Sequence, residues 1–187
     1  MSLDHLAELG ELAGRCATAL EGPVRRYAEL VKATLAAGRT VFFAGNGGSA
    51  AHAQHIATEY VVRYRPVSRR AVPAVALSTD SALITAAGND LGFDRIFARQ
   101  VEAHGRAGDL LVLVSTSGAS PNLLKAAEMA RSAGVMTVGL LARDGGPLAK
   151  LVDLAVIVPT DDTAHAQEIQ LAIDHYVCSL VEPELSA

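Results

Sequence analysis

The sequence predicts an α/β fold: a doubly wound, five-stranded parallel sheet preceded by N-terminal helices. Three observations carry this expectation. Five short apolar runs recur along the chain, at 40–44, 74–77, 110–114, 137–141 and 154–158. Segments with helical spacing of apolar residues lie between them, and strand–helix alternation of this kind builds parallel sheets. The runs are continuously apolar rather than alternating, as strands buried on both faces are.

Each element follows in order. Over 3–37, Leu6, Leu9, Ala13 and Cys16 mark one helical stripe and Val24, Tyr27, Ala28, Val31 and Leu35 a second. Gly22-Pro23 is expected to separate the two helices, with Pro23 in the first turn of the second and Gly38 as its stop. Helices are then expected over 50–62, 81–87, 94–104 and 121–133. A last one over about 163–181 would bury a stripe of Ile169, Ile173, Tyr176 and Leu180. The remainder past Pro183 is too short for another domain, so 1–187 reads as one domain with 1–38 as its helical extension.

Composition narrows the function classes. Half of the 187 residues are hydrophobic, enough for a real core, which excludes a disordered chain. Aromatics make up 4% and Trp is absent, so that core rests on Ala, Val, Leu and Ile. A net charge of −4 argues against a nucleic-acid partner. No run approaches the roughly 20 apolar residues of a membrane span, and the first residues lack the basic-then-apolar pattern of a signal peptide. Cys16 and Cys178 read as reduced thiols of a cytoplasmic protein rather than a disulfide framework.

In such sheets ligands bind where strands end and helices begin, which directs attention to the junctions. Ala44-Gly45-Asn46-Gly47-Gly48-Ser49 follows the first run. Its glycines let backbone approach a ligand, and the helix start offers N–H groups to an anion. The spacing is neither a dinucleotide fingerprint nor a P-loop, and a ligand-free tight turn is the alternative. The second junction places Ser115, Thr116, Ser117 and Ser120, four hydroxyls in six positions, before Pro121. One Ser suffices to cap a helix; four fit a phosphate cradle that needs no Lys or Arg. Gly88-Asn89-Asp90 and Asp144-Gly145-Gly146 read first as turns, the former with hydrogen bonding to substrate hydroxyls as its functional reading.

His55 and Glu59, at i and i+4, share a helix face and suit a divalent metal such as zinc, or a solvated pair. His52, one turn earlier on that face, reads as a group behind the site or a bystander. Gln167 and His175 are eight residues apart, about 12 Å of helix rise. They would meet one metal only by leaning together or by coming from different subunits.

The strings Gly45-Asn46-Gly47-Gly48-Ser49, Ala53-Gln54-His55-Ile56-Ala57-Thr58-Glu59, Gly88-Asn89-Asp90-Leu91-Gly92-Phe93, Ser115-Thr116-Ser117-Gly118, Asp144-Gly145-Gly146 and Gln167-Glu168 occur in one order. With this set the chain resembles the phosphoheptose (sedoheptulose 7-phosphate) isomerases of the sugar isomerase (SIS) domain superfamily, over nearly its whole length. The resemblance implies a flavodoxin-like SIS domain and a cytoplasmic homotetramer with sites shared between subunits. It further implies aldose–ketose isomerisation of a heptose phosphate through an enediol or enediolate. It assigns substrate contacts to Asn46, Gly47, Gly48, Glu59, Asn89, Asp90 and Gln167, and the phosphate to Ser115, Thr116, Ser117 and Ser120. One zinc per subunit is implied at His55, Glu59, Gln167 and His175, with Glu59 as base and His175 as acid.

The sequence departs from the family pattern at three places. Ala119 stands where an Asn is frequent, His52 where an Asp or Asn is usual, and Ala164-His165-Ala166 where many relatives carry Arg-Ile before the Gln. Two rival readings are a non-catalytic SIS module that associates with a replication initiator and a sugar-phosphate sensor. The first branch lacks the Glu and the last-helix His, both present here as Glu59 and His175. The second needs the phosphate loop but not Glu59. A flavin or dinucleotide protein fits least, with no flavin-stacking Trp and no G-x-G-x-x-G.

Overall fold

The computed structural model describes residues 4–65 and 68–185; residue 3, where the predicted helical segment 3–37 begins, lies outside them. The chain opens with α1 (Asp4–Ala19) and α2 (Glu21–Ala36). It alternates through β1 (Val41–Gly45), α3 (Gly48–Val61), β2 (Ala74–Ala76), α4 (Ser81–Asp90) and α5 (Ile96–His104). It then runs through β3 (Leu110–Ser115), α6 (Pro121–Ala133), β4 (Met136–Ala142), β5 (Leu154–Val158) and α7 (Thr163–Leu185). All strand pairs are parallel, in the order β2-β1-β3-β4-β5. The predicted doubly wound sheet is therefore present, with its strand order reversing between β1 and β3, where such sheets bind ligands.

Strand periodicity sorts the core into two layers. Val41, Phe43, Leu110, Val112 and Val114 pack with α1, α2, α3 and α7 on one face. Phe42, Ala44, Leu111 and Leu113 pack with α4, α5 and α6 on the other. Each such buried Leu or Val contributes about 1.5–3 kcal/mol relative to exposure; the core expected to rest on Ala, Val, Leu and Ile also takes in Tyr27, Phe43, Tyr60 and Phe97, few in number but the largest of its fully buried side chains. At the N-terminal edge, buried Asp109 accepts from the Thr40 and Arg106 N–H groups at 2.9 and 2.8 Å, fixing β3 beside β1. The opposite, C-terminal edge carries the candidate chemistry.

Three boundaries and one buried face differ from the sequence reading, each for a physical reason. The helix break falls at Leu20 rather than Gly22-Pro23. A proline ring clashes with the carbonyl four residues back, and that residue is Ala19, the last of α1. Helix α3 begins at Gly48, so the third glycine of the loop lies inside its first turn. Asn89 and Asp90 are helical: the ladder continues to a Leu91 N–H bond on the Ala87 carbonyl, and Gly92, at φ +96°, ends it. In α7, Tyr176 is exposed rather than buried; the covered face is Ala166, Ile169, Ile173, Val177, Cys178 and Val181, with Gln170 and Asp174 among them. Two hydrogen-bonded polar residues widen the buried face in a way hydropathy spacing does not register.

Candidate active site

The glycine loop is shaped by close approach. A Cβ at Gly45 would lie 2.6 Å from the Ser49 carbonyl oxygen, and Gly47, at φ +54°, precedes α3. A side chain at Gly48 would meet the Gln167 amide, whose Nε2 lies 2.9 Å from the Cβ position. The structure thus brings Gln167 of α7 against the substrate-loop residues predicted from sequence.

The hydroxyl loop closes β3. Buried Ser115 accepts from the Gly118 N–H at 3.0 Å and the Ser117 hydroxyl from the Ala119 N–H at 3.3 Å. Ser120 occupies the N-cap of α6, yet its side chain makes no capping bond. Capping of α6 therefore does not account for the Ser120 hydroxyl. Gly118 has φ +60°, and a Cβ there would fall 1.9 Å from the Gly145 carbonyl oxygen. The Asp144-Gly145-Gly146 turn is therefore the floor on which the hydroxyl loop rests. Asn46 and Asn122 exchange amide hydrogen bonds at 3.0 and 2.8 Å, tying the two loops together at the strand-order switch. Asn122, buried at the start of α6, is absent from the sequence reading; an amide directly after Ser120-Pro121 is the signal that could have found it.

The metal-type residues meet where α3 and α7 run side by side. The pairs Gly48 with Gln167, His52 with Asp174 and His55 with His175 show the two helices advancing in the same direction. His55 Nε2 and His175 Nε2 are 3.0 Å apart, and Glu59 Oε1 lies 3.5 Å from His55 Nε2. All three offer donor atoms within 4.8 Å of one another. Tetrahedral bonds of zinc–imidazole length separate two nitrogens by about 3.3 Å, so the pair already has the spacing of two ligands of one ion. The donor set suits zinc. The His175 ring also stacks on Tyr64 at 5.5 Å. Gln167 stays with the glycine loop, some two turns of α7 before His175. Asn89 bonds the Asp90 carboxylate at 2.7 Å, both exposed at the end of α4. Asp90 lines a cleft between α4 and α5, and no hydrogen bond among the described residues joins this pair to either loop.

Behind the cluster lies a buried polar chain absent from the sequence reading. Asp174, fully buried, accepts from the Tyr27 hydroxyl at 2.7 Å and pairs with His52 Nε2 at 2.7 Å. Burial, followed by the Asp174 charge, pushes the Tyr27 phenol well above its ordinary range, so it remains a donor. His52 is therefore a group behind the site rather than a bystander. Arg69, almost wholly buried, donates to the Glu59 and Tyr60 carbonyls and to Glu182, gripping the end of α3 just where Glu59 sits.

Comparison with known proteins agrees with this geometry. Residues 4–142 match the SIS domain family. The chain is 48% identical over 181 residues to a phosphoheptose isomerase of Citrifermentans bemidjiense, covering 97% of this chain and 92% of that protein. The solved phosphoheptose isomerase of Neisseria gonorrhoeae superposes with a TM-score of 0.90 at 38% identity, with 96% of each chain covered. That of Francisella tularensis gives 0.93 at 33%, covering 96% of this chain and 95% of the other. The loops, the paired imidazoles and these likenesses together place the chain in the SIS domain family, among the phosphoheptose isomerases.

Proposed function

We infer that the protein is an aldose–ketose isomerase that converts sedoheptulose 7-phosphate to D-glycero-D-manno-heptose 7-phosphate in heptose biosynthesis. The convergence of His55, Glu59 and His175 beyond the glycine loop carries the mechanism. The hydroxyls of Ser115, Thr116, Ser117 and Ser120 hold the phosphate, aided by the start of α6. Asn46, Gly47, Gly48 and Gln167 line the sugar chain, and Asn89 and Asp90 bind its hydroxyls. From Gly48 to His55, α3 rises about 10 Å, a length comparable to an extended seven-carbon phosphosugar. The Glu59 carboxylate removes the proton from the carbon next to the carbonyl. His175 gives a proton to the carbonyl oxygen, leaving an enediol. Glu59 then returns the carbon-bound proton to the former carbonyl carbon, while His175 recovers a proton from the neighbouring hydroxyl. Binding energy from the remote phosphate orients the reacting carbons. Glu59 and His175 also oppose the initiator-associating reading, whose branch lacks both.

The same proposal includes one zinc per subunit, which His55, Glu59, Gln167 and His175 would hold; Glu59 and His175 would not ligate the ion in the same instant in which they move a proton. Bound there, the ion would supply charge stabilisation to the developing oxyanion. Gln167 lies too far along α7 to reach it easily within one chain, so a homotetramer with subunit-shared sites suits this donor set. A single domain over 1–187 and a cytoplasmic setting complete the proposal; no described helix is long and apolar enough to cross a membrane. The test is solvent deuterium exchange at the substrate carbon next to the carbonyl. Wild type should exchange and Glu59→Gln should not, with turnover reduced by about two to four orders of magnitude. Exchange by Glu59→Gln at the wild-type rate removes Glu59 as base.

A further inference from the structure

A second group of metal-type side chains lies outside the site just described. His5 stands near the start of α1, and His165 and Glu168 in the first turns of α7. Each offers a donor atom within 4.8 Å of the other two. His5 Nε2 lies 3.0 and 3.2 Å from the two Glu168 carboxylate oxygens. The His5 and His165 rings face each other with centroids 4.3 Å apart, and His165 Nε2 lies 3.2 Å from the His5 carbonyl oxygen. We propose that His5, His165 and Glu168 form a further divalent transition-metal site, of zinc type, that staples the start of α1 to the start of α7.

The parts differ in freedom as a metal site needs. His165 is buried, and the Asp162 carboxylate anchors its backbone by accepting the His165 N–H at 2.8 Å. Its Nδ1 is 3.9 Å from Asp162, beyond hydrogen-bond reach, while its Nε2 meets the His5 carbonyl oxygen. The His5 and Glu168 side chains are about half exposed, at 49% and 41%. Zinc-type bonds place neighbouring donors roughly 3.3–3.5 Å apart. Closing the group from 4.8 Å therefore takes rotamer shifts of about an ångström, which the two exposed side chains can make around the fixed ring. A simple ion pair needs only His5 and Glu168; the second imidazole makes the set a two-histidine, one-carboxylate centre with a position left for water. The site uses none of the side chains at His55, Glu59 and His175 and stands whether or not those hold a metal.

The experiment is zinc titration of the metal-stripped, tag-free full chain by calorimetry, with cobalt absorption as a second signal. Wild type is compared with His5→Gln and Glu168→Gln, both surface changes that leave the core intact. The proposal expects each variant to bind one equivalent fewer than wild type, the lost site weakening at least about 100-fold. Amide exchange over α1 should slow on adding zinc to wild type but not to the variants. If wild type binds one equivalent and His5→Gln binds none, the staple stands and the catalytic zinc falls. If His5→Gln and Glu168→Gln bind as many equivalents as wild type, or wild type binds none, the staple is overturned.

Discussion

At the residue scale, the hydroxyl loop offers the sharpest tests of binding. Ser117→Ala and Ser120→Ala each remove a hydroxyl proposed to meet a phosphate, at a cost of about 1.5–3 kcal/mol for a charge-assisted bond. Calorimetry with the ketose phosphate should show roughly 10- to 150-fold weaker binding for each; unchanged affinity would place the phosphate elsewhere. Gly118→Ala attacks the floor instead. Its φ of +60° and the 1.9 Å approach of Gly145 leave no room for a methyl group. The strained backbone alone costs about 1–3 kcal/mol, so the variant should unfold at lower denaturant and bind phosphate poorly. The cysteines answer to burial. Burial pushes the Cys178 thiol far above its ordinary range, and burial likewise raises Cys16, against a smaller opposing effect of Arg15. Neither should react with an aromatic disulfide reagent until the protein is denatured.

At the element scale, α7 is held by buried polar groups as much as by apolar contact. Asp174 joins it to α2 through Tyr27 and to α3 through His52. Asp174→Ala strands both partners in the core and should destabilise by about 3–5 kcal/mol, read from the urea midpoint. Glu182 ties the end of α7 to the residues after α3. Burial alone would raise its carboxyl, but the N–H groups of Tyr64 and Arg65 and the Arg69 guanidinium together hold it below its ordinary value of 4.5. A depressed carboxyl contributes stability above that value and loses it as pH falls through the folded-state value. Wild type should therefore weaken below about pH 4.5. Glu182→Gln should be less stable at neutral pH but show a flatter acid limb in thermal melts. Parallel acid limbs would mean that other carboxylates govern this range.

At the scale of the whole molecule, the proposed assembly and metal are testable together. Light scattering should give a mass near four chains, and chelation should lower turnover that zinc restores; a fully active monomer would remove the shared site. Hydrophobic patterning alone determined the sheet, because strands buried on both faces and helices buried on one leave periods that need no partner to read. The glycine and hydroxyl loops were equally legible, since a junction's chemistry lies in consecutive residues. His55 and Glu59 were visible as an i, i+4 pair for the same local reason. Only the tertiary structure decided that His175 meets them while Gln167 stays at Gly48, because that depends on α3 and α7 running in one direction. It alone showed Asn122 clasping Asn46, and Asp174 as the joint of three helices. It also moved the helix break to Leu20 and turned Tyr176 outward. Contacts between residues far apart in the sequence depend on how helices are laid against the sheet, and a side chain's hydropathy carries no record of which neighbour will meet its polar atoms.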